Sequence, residues 1–209
     1  SKLHYASDIT RTFPANGKFS TKQKEIYLIV KEMQETVLQE LKPGVNFKDM
    51  HKLSAYIGIK GLKKLGLLKG SAEDALKAGV YGLFYPHGLG HMLGLDVHDM
   101  ESLGEDLVGY SKKSKREVEF GITFLRLGKK LEQGFCITVE PGIYFIPELF
   151  NQWKQEKKHK DFINYDQFEK YLDFGGIRIE DNILITNKAS ENLSDFIIKD
   201  INDIESIMS

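Results

Sequence analysis

An α+β fold built on a mainly antiparallel sheet is what this sequence predicts, on three observations. Apolar residues at helical spacing dominate the chain from Ser20 to Leu65. Beyond Val80 the segments become short, mixed and Gly-rich, with β-type apolar runs. Helices therefore come first and strands later, an order that belongs to α+β proteins rather than to an alternating parallel sheet. No linker, repeat or low-complexity run interrupts the chain, so residues 1–209 read as a single domain.

Each element has its own signal. Residues 3–13 read as a strand or bent strand: Tyr5, Ile9, Thr10, Thr12 and Phe13 are strand formers, and Pro14-Ala15-Asn16-Gly17 is a turn. Ser20 and Gln23 fit a capping box, in which hydroxyl and amide satisfy two free backbone N–H groups. Ile26, Ile29, Val30, Met33, Val37 and Leu41 follow as one apolar stripe, ended by Pro43-Gly44. A second helix is predicted from about Asn46 to Leu65, with Phe47, Met50, Leu53, Ile57 and Leu62 inward and Gly66 as its cap. Ser71 and Asp74 open a short third helix, about Ser71 to Ala78. A charged stretch runs from Glu101 to Glu119. Phe135 to Val139 is a β run ending at Glu140-Pro141-Gly142, and Ile143 to Ile146 continues it. Residues 148–172 suggest one or two helices, Gly175 to Thr186 a strand, and Ile201 to Met208 a last helix.

Composition excludes several functions. The 209 residues carry 29 Lys plus Arg against 30 Asp plus Glu, a net charge of −1. Phosphate affinity comes from excess cationic side chains, so a nucleic-acid binder is not expected. No apolar run is long enough to span a membrane. The single cysteine, Cys136, cannot form an internal disulfide and reads as a buried small hydrophobe. No signal-peptide core opens the chain. A cytoplasmic protein is the expectation, although the chain begins Ser1-Lys2-Leu3 without a Met, as a piece of a longer protein would.

The densest chemical feature is His87-Gly88-Leu89-Gly90-His91-Met92-Leu93-Gly94-Leu95-Asp96-Val97-His98-Asp99. Three of the six histidines lie here among glycines that let backbone approach a ligand. One histidine alone would read as surface or satisfied core. A dinucleotide fingerprint is disfavoured, since Leu93 stands where a third small residue belongs. Glu140 ends an apolar β run, where an acid is costly unless paired or bound to a cation. In Arg178-Ile179-Glu180-Asp181, alternation puts Arg178 and Glu180 on one face and Ile177 and Ile179 on the other; a plain strand-face ion pair would explain this motif by itself. Asp8, in Ser7-Asp8-Ile9-Thr10-Arg11-Thr12, is unremarkable alone. Imidazole with carboxylates suits divalent Mn, Co, Fe or Zn and hydrolysis, and the lack of thiolates excludes a structural zinc ribbon. Spacing alone cannot bring these residues together.

Four motifs in order do more: Ser-Asp-Ile-Thr-Arg-Thr-Phe, His-Gly-Leu-Gly-His-x-Leu-Gly-x-x-Val-His-Asp, Thr-Val-Glu-Pro-Gly-Ile-Tyr and Gly-Ile-Arg-Ile-Glu-Asp. Over nearly the whole chain the sequence resembles the proline-specific branch of the pita-bread metallopeptidases, which holds aminopeptidase P and prolidase. The resemblance implies a curved, mainly antiparallel sheet with helices on its outer face. It implies two divalent ions, usually Mn, with Asp8, His91, Glu140 and Glu180 as ligands. Glu140 would also carry protons. His87 and His98 would hold substrate and stabilise charge on the attacked carbonyl, and Arg178 would orient carboxylates and substrate. The implied reaction is hydrolysis of the Xaa-Pro bond, at the N-terminus of peptides or in dipeptides, by a hydroxide bridging the two ions.

In the family the first aspartate ligand lies in an Asp-x-Gly motif on the strand preceding Asp8, and this chain begins after that point. Position 1 is therefore read as a boundary inside the catalytic domain of a longer parent, itself expected to be a homodimer or larger. The piece is expected to bind metal weakly and to be inactive alone. The long segment after Gly142, with Trp153 and Phe162 to Tyr165, resembles prolidase, whereas the tail Asp203 to Met208 resembles aminopeptidase P. A non-catalytic peptide- or protein-binding relative is the alternative. Retention of four ligands speaks against it, and against a creatinase-like amidinohydrolase. A methionine aminopeptidase lacks the Val97-His98-Asp99 arrangement.

Overall fold

Ser20 opens the first helix as its capping box predicts. In a computed structural model that describes residues 2–208, its hydroxyl accepts from Gln23 N–H at 3.2 Å while Gln23 Oε1 accepts from Ser20 N–H at 2.8 Å. Helix α1 spans Thr21–Glu40 and buries Ile26, Ile29, Val30, Met33 and Val37, together with one polar residue, Gln34. Helix α2 spans Phe47–Lys64 with Asn46 as its N-cap; Gly66 follows it at φ 76°, a left-handed position that favours glycine. Phe47, Ile57 and Leu62 are buried as expected, whereas Met50 and Leu53 are only half-buried. Helix α3 covers Ala72–Lys77, capped by Ser71. The charged stretch forms a 3₁₀ turn, Glu101–Leu103, and the short helix α4, Glu105–Gly109. Helices α5 (Pro147–Gln155), α6 (Tyr165–Phe168) and α7 (Ile201–Ile207) complete the set among the described residues.

The sheet is organised around one long strand. β1 is Thr10–Arg11, β2 Cys136–Val139, β3 Gly142–Tyr144, β4 Gly176–Ile185 and β5 Ser190–Asn192. β4 pairs antiparallel with all four others. β2 and β5 both pair with Ile183 and Leu184, so they occupy opposite edges of β4. β1 lies on the edge away from β2. Alternation along β4 sends Ile177, Ile179, Ile183 and Ile185 into the core with the apolar stripe of α1. Arg178 and Glu180 take the other face, as the sequence predicts.

The N-terminal reading needs correction. Residues 3–13 do not form one strand: a kinked 3₁₀ turn occupies Lys2–His4, and only Thr10 and Arg11 pair, with Glu180 and Ile179. Thr12 explains the early stop, since its hydroxyl, not its backbone, exchanges hydrogen bonds with Arg178, accepting from N–H at 3.2 Å and donating to the carbonyl at 2.9 Å. Strand β5 has no counterpart in the sequence reading. Its residues, Ser-Glu-Asn, are poor strand formers paired only because β4 offers an open edge.

A candidate metal centre

β2 and β3 are one strand broken at Glu140-Pro141. Val139 pairs with Asp181 and Gly142 with Arg178, so the register continues across the break and sets Glu140 level with Glu180. On the other side of β4, Thr10 pairs with Glu180. Asp8 lies two residues before Thr10, on the same face, and its N–H donates to Asn182 Oδ1 at 3.3 Å. Glu140 and Glu180 thus meet at one rung of the sheet, and Asp8 joins them from two residues along the chain beside β4.

The histidine-glycine segment closes the site. It runs along the free edge of β2: Glu140 N–H donates to the Leu89 carbonyl at 2.8 Å, Thr138 N–H to the His91 carbonyl at 3.0 Å and Leu93 N–H to the Cys136 carbonyl at 2.9 Å. Gly90 permits this approach, because a Cβ there would lie 2.0 Å from the Thr138 carbonyl oxygen. The pairing delivers His91 beside the acids.

Asp8, His91 and Glu180 each present a donor atom within 4.8 Å of the other two. His91 Nδ1 lies 2.9 Å from the Met92 carbonyl, which can only accept, so Nδ1 carries the proton and Nε2 presents its lone pair. That nitrogen sits 3.6 Å from Asp8 Oδ2 and 3.4 Å from Glu140 Oε1. Glu180 is buried; its Oε2 accepts from the Thr10 hydroxyl, whereas among the described residues its Oε1 has no hydrogen-bond partner. Glu140 lies outside the tight trio. Its Oε1 accepts from the Thr138 hydroxyl at 3.2 Å and its Oε2 from Arg178 Nη1 at 2.9 Å.

Electrostatics agree with a cation site. Burial, and then the charge of Glu180, push the Glu140 carboxyl up to about 8. Burial also raises the Glu180 carboxyl. Burial lowers the His91 imidazole, keeping its lone pair free near neutral pH. An orphaned buried carboxylate oxygen beside two more acids and a neutral imidazole is costly unless a cation joins them. The donor set fits a divalent ion such as Mn or Zn.

The remaining expected residues line one cleft of about 1040 Å³, with His87, His91, His98, Glu140 and Arg178 in its wall. The His98 ring lies edge-on to His91, 4.3 Å between centroids, and is exposed. His87 Nδ1 lies 2.7 Å from the Gly88 carbonyl and its Nε2 lies 3.1 Å from the Tyr144 hydroxyl. Tyr144 also accepts from Arg178 Nε at 2.7 Å, so it joins His87 to Arg178. Cys136 is half-buried in β2, and burial pushes its thiol up. Asp96 and Asp99 lie outside the group of metal-capable donors.

Sequence reasoning missed the residues that hold the rung in place. Asp181, fully buried, accepts from Arg11 Nη2 at 2.7 Å, Lys199 Nζ at 2.6 Å, Asn192 Nδ2 at 3.0 Å and the Ser194 hydroxyl at 2.9 Å. Gln34 hydrogen-bonds into the same rung from α1. Its signal was visible: a polar residue four after Val30 and three before Val37, inside an apolar stripe.

Known proteins resemble this chain over nearly its whole length. The chain is 42% identical over 205 residues to a probable Xaa-Pro aminopeptidase of Botryotinia fuckeliana, covering 98% of this chain and 43% of that protein. A probable Xaa-Pro aminopeptidase of Verticillium alfalfae is 44% identical over 201 residues, covering 96% of this chain and 42% of that protein. Zinc-substituted Escherichia coli aminopeptidase P in complex with product superposes with a TM-score of 0.72 at 37% identity, over 98% of this chain and 38% of the other. Pseudomonas aeruginosa aminopeptidase PepP superposes with a TM-score of 0.74 at 35% identity, again over 98% and 38%. The chain therefore spans less than half the length of these relatives. The aminopeptidase P likeness agrees with the pita-bread fold and the truncation expected from sequence. Residues 2–187 match the family model itself, so the chain that builds this rung of acids and imidazole belongs to metallopeptidase family M24.

Proposed function

We propose that this chain supplies most of the metal site of an enzyme that hydrolyses the Xaa-Pro bond at the N-terminus of peptides. The observation that carries this reading is the grouping of Asp8, His91 and the buried Glu180, whose donor atoms lie within 4.8 Å of one another, with Glu180 Oε1 unpartnered among the described residues. Relatives named Xaa-Pro aminopeptidase favour that activity over the dipeptidase. Asp8, His91, Glu140 and Glu180 would hold two divalent ions, Mn by the resemblance. When bound, such ions supply Lewis acidity and activate water.

The protein groups divide the remaining work. Glu140, anchored by Arg178 at one oxygen, takes a proton and gives it to the leaving proline nitrogen. His87 has its N–H fixed on the Gly88 carbonyl, so toward Tyr144 it offers a lone pair. Burial lowers its imidazole to about 4, which opposes a second proton. This favours His98, rather than His87, as the imidazole donor to the carbonyl under attack. His87 and Arg178 instead hold Tyr144 between them. Four donor side chains shared between two ions leave both under-coordinated, so weak metal binding and no turnover are expected from this chain alone.

The test is a panel of Xaa-Pro and Xaa-Pro-Yaa substrates, run with Mn on the longer parent protein. Cleavage of the tripeptide supports the aminopeptidase. Cleavage of the dipeptide alone makes it a prolidase, and no cleavage of either overturns the reading.

A further inference from the structure

The amide of Gln34 occupies an unusual place. It is fully buried, on α1, and its Nε2 donates to the carbonyls of Val139 at 3.1 Å and Ile179 at 3.2 Å. Those two carbonyls immediately precede Glu140 and Glu180. Oε1 of the same amide accepts from Lys199 Nζ at 3.2 Å. Chemistry fixes this orientation: two carbonyls only accept and an ammonium only donates, so the amide has one way to face. Lys199 is held in turn by Asp181, and Asp181 by Arg11. Arg11 Nη1 returns to the backbone, donating to the Glu180 carbonyl at 2.7 Å and the Thr10 carbonyl at 2.9 Å. The ring of contacts closes around the rung that presents the acids.

The break at Glu140-Pro141 makes this placement matter. Pro141 has no N–H, so the strand loses a ladder bond where the acids must stand level. The Gln34 amide bridges that gap from beneath, joining β2 to β4 on either side of it.

We propose that Gln34 is a positioning residue for the metal site, one that fixes the spacing of Glu140 and Glu180 through the carbonyls before them. This rests on the metal-site reading above. Groups that orient ligands from behind are typically worth roughly 10–100-fold in metal affinity. Gln34→Met keeps the volume and the helix while removing both donors and the acceptor.

The experiment titrates Mn²⁺ into the chain by electron paramagnetic resonance, alongside Gln34→Met and a control. Val37→Ala is the control, a buried core residue on the same helix whose apolar side chain cannot hydrogen-bond these carbonyls. The expected result is a tenfold or larger weakening of Mn²⁺ affinity in Gln34→Met, with Val37→Ala within about twofold of the parent chain even where it unfolds more easily. Affinity unchanged in Gln34→Met, or weakened equally in both variants, overturns the proposal. If Gln34→Met does not fold, Lys199→Met carries the test: a several-fold weaker Mn²⁺ constant supports the proposal and an unchanged one overturns it. No Mn²⁺ binding by the parent chain sinks the metal site itself, a separate failure.

Discussion

Asp181→Asn tests how the candidate centre is held together. The carboxyl of Asp181 is fully buried between Arg11, whose side chain is 9% exposed, and Lys199, at 15%. The substitution keeps the shape and strands two largely buried cations. Breaking a buried pair by removing one partner costs about 3–5 kcal/mol. Arg11 keeps its carbonyl acceptors at Thr10, Glu180, Ile197 and Ile198, so the lower end, about 3 kcal/mol, is the expectation. For a chain of this size that is roughly a 6–12 °C fall in Tm. The effect depends on pH with a definite sign. Burial alone raises the Asp181 carboxyl, but the hydrogen bonds from Lys199 and Arg11 outweigh it and hold the group below the ordinary aspartate range. A depressed carboxyl stabilises the fold above the unfolded aspartate value, about 4, and loses that contribution as pH falls through the lower folded value. Urea denaturation of both proteins at several pH values is the assay. The gap between them should be full at pH 7 and shrink below about 4. A loss under about 1 kcal/mol at pH 7, or a gap that does not narrow in acid, would refute the reasoning.

Three further outcomes follow from the same structure. Ser20→Ala removes the hydroxyl half of the capping box and should cost about 1 kcal/mol in urea denaturation, with Gln23→Ala adding a further loss because the bond from Ser20 N–H to Gln23 Oε1 survives the first substitution. Gly90→Ala forces a Cβ onto the Thr138 carbonyl; a loss of about 2 kcal/mol or more is expected, and an unchanged midpoint would mean that the segment does not run along β2. Among the described residues His51 Nδ1 and Nε2 are buried without hydrogen-bond partners, with the His51 and Tyr85 rings 5.0 Å apart, so high-resolution diffraction should find ordered water beside the imidazole. A dry chamber there would contradict this.

Much of the scaffold was legible because its signals are local. Ser20 and Gln23 announce α1 through a bond between residues three apart, and the apolar stripe that follows needs only helical spacing. β4 declares itself by alternation. The rung did not, since level placement of Glu140 and Glu180 follows from register between strands that sequence does not encode locally. Resemblance, not spacing, brought Asp8 into the set, because it lies before a strand only two residues long and Thr12 beyond that strand bonds through its side chain. Arg11, Asp181 and Lys199 were unreadable for a different reason: each is an ordinary surface residue by type, buried only because the other two are there. Gln34 broke the stripe of α1, and that irregularity was the one sequence clue to the polar support beneath the acids.

The central claim is that Asp8, His91, Glu140 and Glu180 act together on a divalent cation. Isothermal titration of this chain with Mn²⁺, beside His91→Ala and Glu180→Gln, tests it most directly. The account predicts one saturable, weak equivalent in the parent chain and none in either variant. Binding that does not saturate, that proceeds unchanged without His91 and Glu180, or that reaches two tight equivalents would contradict it.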